Sequence, residues 1–202
     1  MSLAAEMLLQ RTRAQQVVPV YEEFARRYSA PQLLARESPA AFASVIAPLG
    51  LRWRAPLMMR TAGIVAERGN LPEQPAELER LPGVGPYAAA AYLSLHRGKR
   101  AVLVDANVVR WLGRMFAFPT HAETRRRAFV RELADLLTPR RSFRAYNYAV
   151  LDLAMTVCRR APACDACPFR DGTCAYARAA RERRASGAAS RPAAARRRGP
   201  PG

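Results

Sequence analysis

Apolar residues recur at spacings of three and four along most of the chain, the mark of helices that bury one face. The pattern predicts helices over 4–28, 39–49, 53–68, 73–81, 87–96, 106–116 and 123–137. Pro19 is expected to interrupt the first of these, and the breaks between the others fall at Pro31, Gly50, Gly69, Pro72, Pro82, Pro86, Gly98, Pro119 and Pro139. Arg100 to Val104, "RAVLV", is the only strong β signal. It is too short to build a sheet and is expected to run extended inside a helical fold. The fold class is therefore all-α. Beyond Ala179 the chain is written in Arg, Ala, Pro, Gly and Ser, a composition expected to stay disordered.

Charge narrows the range of partners. The formal net charge is +17. Seven arginines and one glutamate fall in 179–202, so the body is strongly basic without the tail. A surface of that sign suits a polyanion, with nucleic acid foremost. Lys99 is the only lysine, and arginine does not serve as an amine nucleophile. No stretch is apolar enough for a membrane span and none reads as a signal peptide, so a cytoplasmic, nucleoid-associated protein that avoids membranes is expected. The four cysteines crowd into Cys158-x5-Cys164-x2-Cys167-x6-Cys174. In a reducing compartment such a group reads as a metal site before it reads as disulfides. On spacing alone, zinc and a [4Fe–4S] cluster are both open.

Two motifs carry chemistry. "LPGVGPYAAAAYLSL", from Leu81, ends one helix, turns at Gly83, Val84 and Gly85, and opens another at Pro86. Glycines there let a partner approach the backbone, and the amides at a helix start suit a phosphate. Eighteen residues after Tyr87 comes Asp105, in "VLVDANVVRWLGRMF". The pair, "LPGVG" followed at this distance by V-D-x-N-V-x-R, resembles the helix-hairpin-helix DNA glycosylases that include endonuclease III and adenine glycosylase. The resemblance runs from about Glu6 to Cys174.

The resemblance implies a DNA N-glycosylase with Asp105 facing the sugar of a flipped nucleotide, where an ionised carboxylate stabilises the developing cation. Asn107 would orient Asp105 or the local backbone. Tyr87 stands where lyase members have the lysine that attacks C1′, so hydrolysis without strand cleavage is expected. Glu6, in "AEMLLQRTRAQQV", resembles the glutamate of E-x-x-L-x-x-T that protonates the leaving base or positions water. Gln10 and Arg11 would fill the gap left by the flipped base. Leu51 in "GLRWRA" would be the apolar wedge, with Trp53 beside it. Asn147 and Asp152 are expected to be structural.

For the cysteines the resemblance implies the [4Fe–4S] cluster, with Cys158, Cys164, Cys167 and Cys174 as ligands and zinc as the alternative. The middle pair is displaced by one residue from the family spacing. Two helical lobes are expected: a barrel domain over 16–116, and a cluster lobe made of 1–15 with 117–177. DNA would lie between them, followed by a basic tail over 178–202. The expected protein is a monomer acting on double-stranded DNA that holds a mismatch or lesion. It would release adenine opposite guanine or 8-oxoguanine, or thymine opposite guanine. The alternative is a glycosylase-like binding module without activity.

Overall fold

The computed structural model describes residues 2–189. Eleven α-helices are found among them, and no strand. They are α1 (Ser2–Leu9), α2 (Ala14–Arg27), α3 (Pro31–Ala35), α4 (Pro39–Ile46), α5 (Ala55–Arg68), α6 (Pro75–Leu78), α7 (Pro86–Ala91), α8 (Ala106–Phe116), α9 (Ala128–Leu137), α10 (Phe143–Asp152) and α11 (Ala175–Ala189). π-helical turns extend α7 over Tyr92–His96 and α10 over Leu153–Val157. The all-α expectation holds, and 100–104 carries no regular secondary structure. No described helix is long and apolar enough to cross a membrane.

The first predicted helix breaks in a different place. Pro19 lies inside α2. The break falls over 10–13, where Arg11 takes a left-handed backbone (φ 66). The Thr12 hydroxyl donates to the Leu8 carbonyl, so a side chain meets one of the acceptors the ending helix leaves over.

The described residues form two compact units, one of 2–105 with 131–149, the other of 106–130 with 150–189. This division differs from the expected lobes. Residues 1–15 belong with the first unit because Leu3, Met7 and Leu8 are buried in its core. That core gathers Phe24, Tyr28, Phe42, Ile46, Leu78 and the small face Ala88–Ala89. Phe42 and Ile46 are fully buried, each contributing about 1.5–3 kcal/mol relative to exposure. α8, expected in the barrel domain, belongs to the second unit, where it packs on α11 and on the π turn after α10. α11 continues to Ala189, so helix replaces the disorder expected from 178. The rest of the tail lies outside the described residues.

Residues 131–149 join the first unit through polar ties. Arg100 donates to the Asp135 carboxylate at 2.6 Å and to the Asp135 and Thr138 carbonyls at 2.7 and 2.8 Å, closing the end of α9. Asn147 is buried and its Nδ2 donates to Ser94 Oγ at 2.7 Å and to the Ala101 carbonyl at 3.0 Å. Replacing Asn147 by alanine leaves the buried Ser94 hydroxyl and the part-buried Ala101 carbonyl without this donor. Asn147→Ala should lower unfolding stability by about 1–3 kcal/mol, read as a drop in the urea midpoint, and a midpoint equal to the parent's would contradict the assignment.

Candidate active site

The first unit brings together residues that lie far apart in the sequence. Helix α1 packs on α7 and its π turn. The hairpin turn between α6 and α7 comes close behind it: a Cβ on Gly83, at φ 79, would sit 3.0 Å from Met7 Cε and 3.2 Å from Leu57 Cβ. Only glycine combines that backbone with that closeness. Thr61 Oγ1 donates to the Pro82 carbonyl at 2.8 Å. Gln10 Nε2 reaches the Gly83 carbonyl at 3.5 Å. Arg54, buried, donates to the Met7 carbonyl in the last turn of α1.

This seating buries Glu6, 5% exposed, on the α7 side of α1. Its Oε1 lies 2.8 Å from His96 Nε2. Tyr87 in the first turn of α7 is half-buried. Burial raises its phenol pKa far above the ordinary value, and the nearby charges of Asp105 and Glu6 push the same way. Each carboxylate therefore lies close enough to Tyr87 to act on it electrostatically. Asp105, half-buried, is the residue immediately before α8. Glu6, Tyr87 and Asp105 thus share the first unit, whereas the sequence reading put Glu6 and Asp105 on separate lobes. Asn107 lies in the first turn of α8, in the second unit.

Two expected DNA contacts change. Leu51 is 4% exposed and packs in the core, so it does not project as a wedge. The apolar side chain that does project from that turn is Trp53, 58% exposed, with the Arg54 guanidinium 4.7 Å from its ring centroid. The Val84 side chain is buried and its amide is bonded to the Leu81 carbonyl at 3.1 Å. Gly83 is exposed, Gly85 half-exposed, and Gln10 and Arg11 stay at the surface of the α1–α2 turn. Lys99 donates to Glu73 at 2.7 Å.

Residues 4–135 match the family described as HhH-GPD superfamily base excision DNA repair protein. The chain is 37% identical over 183 residues to the thymine/uracil-DNA glycosylase of Pyrobaculum aerophilum, covering 86% of this chain and 79% of that one. The chain belongs to the HhH-GPD superfamily of base excision DNA repair proteins. A solved thermostable thymine-DNA glycosylase superposes with a TM-score of 0.82 at 31% identity, over 88% of this chain and 83% of that one. The adenine DNA glycosylase of Mycobacterium tuberculosis is 32% identical over 83% of this chain, which spans only 56% of that relative.

In this HhH-GPD chain the second unit carries the cysteines. All four thiols are free and line one small pocket beside Trp111 and Met115. Burial raises the Cys164 thiol pKa, and the charges of Cys174, Cys167 and Cys158 add to the rise. Among the described residues no three such groups converge tightly enough to hold a single ion. Four thiols lining one pocket are a soft donor set of the kind that holds either a [4Fe–4S] cluster or zinc.

Sequence reasoning gave no role to three residues. Arg110 and Arg114 are one turn apart on α8 and both donate to the carbonyl of Cys158, at 2.9 and 3.2 Å. Arg114 also reaches Cys158 Sγ at 3.4 Å and the carbonyls of Arg159 and Arg160 at 2.6 and 2.8 Å. Their i, i+4 spacing was the available signal. The third is His96, ninety positions from Glu6, for which the sequence holds no local signal.

The raised Tyr87 pKa has a consequence for stability. Below about pH 10 the phenol is protonated in both the folded and the unfolded chain. Above it the unfolded chain releases the proton while the folded chain retains it, so stability falls as pH rises. Thermal melts from about pH 9 to about pH 11 should therefore fall more steeply for the parent than for Tyr87→Phe. Parallel curves would place Tyr87 in solvent.

Proposed function

We propose that this chain is a monofunctional DNA N-glycosylase that releases a mismatched base from double-stranded DNA, acting as a monomer. The observation that carries the reading is the grouping of Glu6, Tyr87 and Asp105 in one unit, with the phenol held neutral. In this reading a flipped nucleotide places its sugar at Asp105 and its base toward Glu6. Glu6 gives a proton to the departing base, which takes the electron pair of the glycosidic bond. The Asp105 carboxylate stabilises the cationic sugar. Water then adds to C1′ and loses its proton. The inert binding module is not favoured, since both carboxyl groups are retained.

The thymine- or uracil-releasing branch is the better supported. The thymine/uracil-DNA glycosylase of Pyrobaculum aerophilum is spanned over 79% of its length, and the mycobacterial adenine glycosylase over 56%. Two features support hydrolysis without strand cleavage. A lyase needs an unprotonated amine at C1′, Tyr87 offers a phenol, and Lys99 is engaged with Glu73.

A panel of duplexes, each with one mismatch, tests this reading. Release of thymine or uracil opposite guanine is expected, with no protein–DNA adduct trapped by borohydride. Asp105→Asn should slow single-turnover release by roughly 10²–10³ while retaining DNA affinity. Parent-rate turnover by that variant, or a borohydride-trapped adduct, would contradict the assignment.

The same reading gives the cysteine pocket a [4Fe–4S] cluster held by Cys158, Cys164, Cys167 and Cys174. Such a cluster would pin the loop, while the chemistry at the sugar belongs to the first unit. Protein purified without oxygen should be brown, with broad visible absorption and about four iron per chain. A colourless protein with one zinc would refute this.

A further inference from the structure

The Glu6–His96 pair has a layout that a simple surface ion pair lacks. The Glu6 side chain is 7% exposed and that of His96 27%. The imidazole therefore lies on the solvent side of a carboxyl that is otherwise shut in. It is held there by its own element. His96 closes the π turn after α7, and its ring lies 6.5 Å from that of Tyr92, tilted by 30°. The Arg97 and Lys99 amides both donate to the Leu93 carbonyl, fixing the end of the turn. π turns of this kind recur at functional sites.

The other charged groups nearby are accounted for. Arg97 and Lys99 both reach the Glu73 carboxylate, at 3.1 and 2.7 Å. On the Glu6 side stand Tyr87 and Asp105. Glu6 on α1 is thus the ionisable group that meets the imidazole Nε2.

We propose that His96 is a positioning and proton-supplying residue for Glu6 in base release. This rests on the glycosylase reading above. The imidazole holds Oε1, which fixes the carboxyl and leaves Oε2 for the base. After Glu6 has given its proton to the departing base, the imidazolium passes its Nε2 proton to the carboxylate. The neutral ring then regains a proton from water, and the proton shed by the attacking water returns to solvent, so the cycle balances.

The test is single-turnover base release from the preferred duplex between about pH 5 and about pH 9. His96→Ala should slow release about 10- to 100-fold with DNA affinity retained, and the descending limb of the profile should move to lower pH. His96→Gln keeps a hydrogen-bonding group but cannot titrate. It should recover much of the rate while leaving the limb shifted, and it carries the test if the alanine variant fails to fold. In a Glu6→Gln background, His96→Ala should cause no further loss. Parent rate and profile in both His96 variants, or an undiminished loss in the Glu6→Gln background, would overturn the proposal alone. If the parent released no base from any duplex, the glycosylase reading would fall and this inference with it.

Discussion

The seating of α1 against the hairpin turn is the constraint on which the site depends. Gly83 supplies it, with a left-handed backbone and space for no Cβ beside Met7 and Leu57. Met7 is the neighbour of Glu6, so the contact that locks the hairpin also sets the depth of the carboxyl. Arg54 adds a second hold by taking the Met7 carbonyl at the end of the same helix. The core residues Leu3, Leu8 and Ala88–Ala89 supply the apolar burial that keeps these short helices together. Isolated helices of this length are marginal in water.

On that frame, ionisable groups take unlike states from unlike surroundings. Tyr87 is kept neutral by burial beside two carboxylates. Glu6 is shut in but bonded to a ring that meets solvent. Lys99, the only lysine, is drawn to Glu73 at the end of the helix that carries Tyr87. A phenol rather than an amine at position 87 excludes a Schiff base there.

Much of the fold was legible because helical periodicity is a local property. The hairpin glycines and Asp105 were legible because a turn and a helix start have their own residue chemistry. Pro19 misled because a single proline can be accommodated inside a helix whose faces are otherwise well packed. The real break depends on Arg11 adopting a backbone that its residue type does not announce. Leu51 misled for a deeper reason: a leucine after a glycine turn reads the same whether it faces solvent or core, and only tertiary packing puts it inside. The unit boundary escaped for the same cause. Asn147 and Arg100 tie 131–149 back to the first unit through side chains far apart in the sequence. His96 was invisible because its partner lies ninety positions away.

In the second unit, Arg110 and Arg114 draw in the carbonyls around Cys158, a local arrangement that shapes the cysteine loop from one face of α8. In the proposed reaction the first unit receives both the sugar and the base of an extruded nucleotide. A crystal structure with a duplex carrying a non-hydrolysable 2′-fluoro nucleotide opposite guanine tests it most directly. The account predicts C1′ of that nucleotide beside the Asp105 carboxylate, with the base edge toward Glu6 and the phenol of Tyr87 nearby. A nucleotide still stacked in the helix, or a sugar bound away from Asp105, would contradict it.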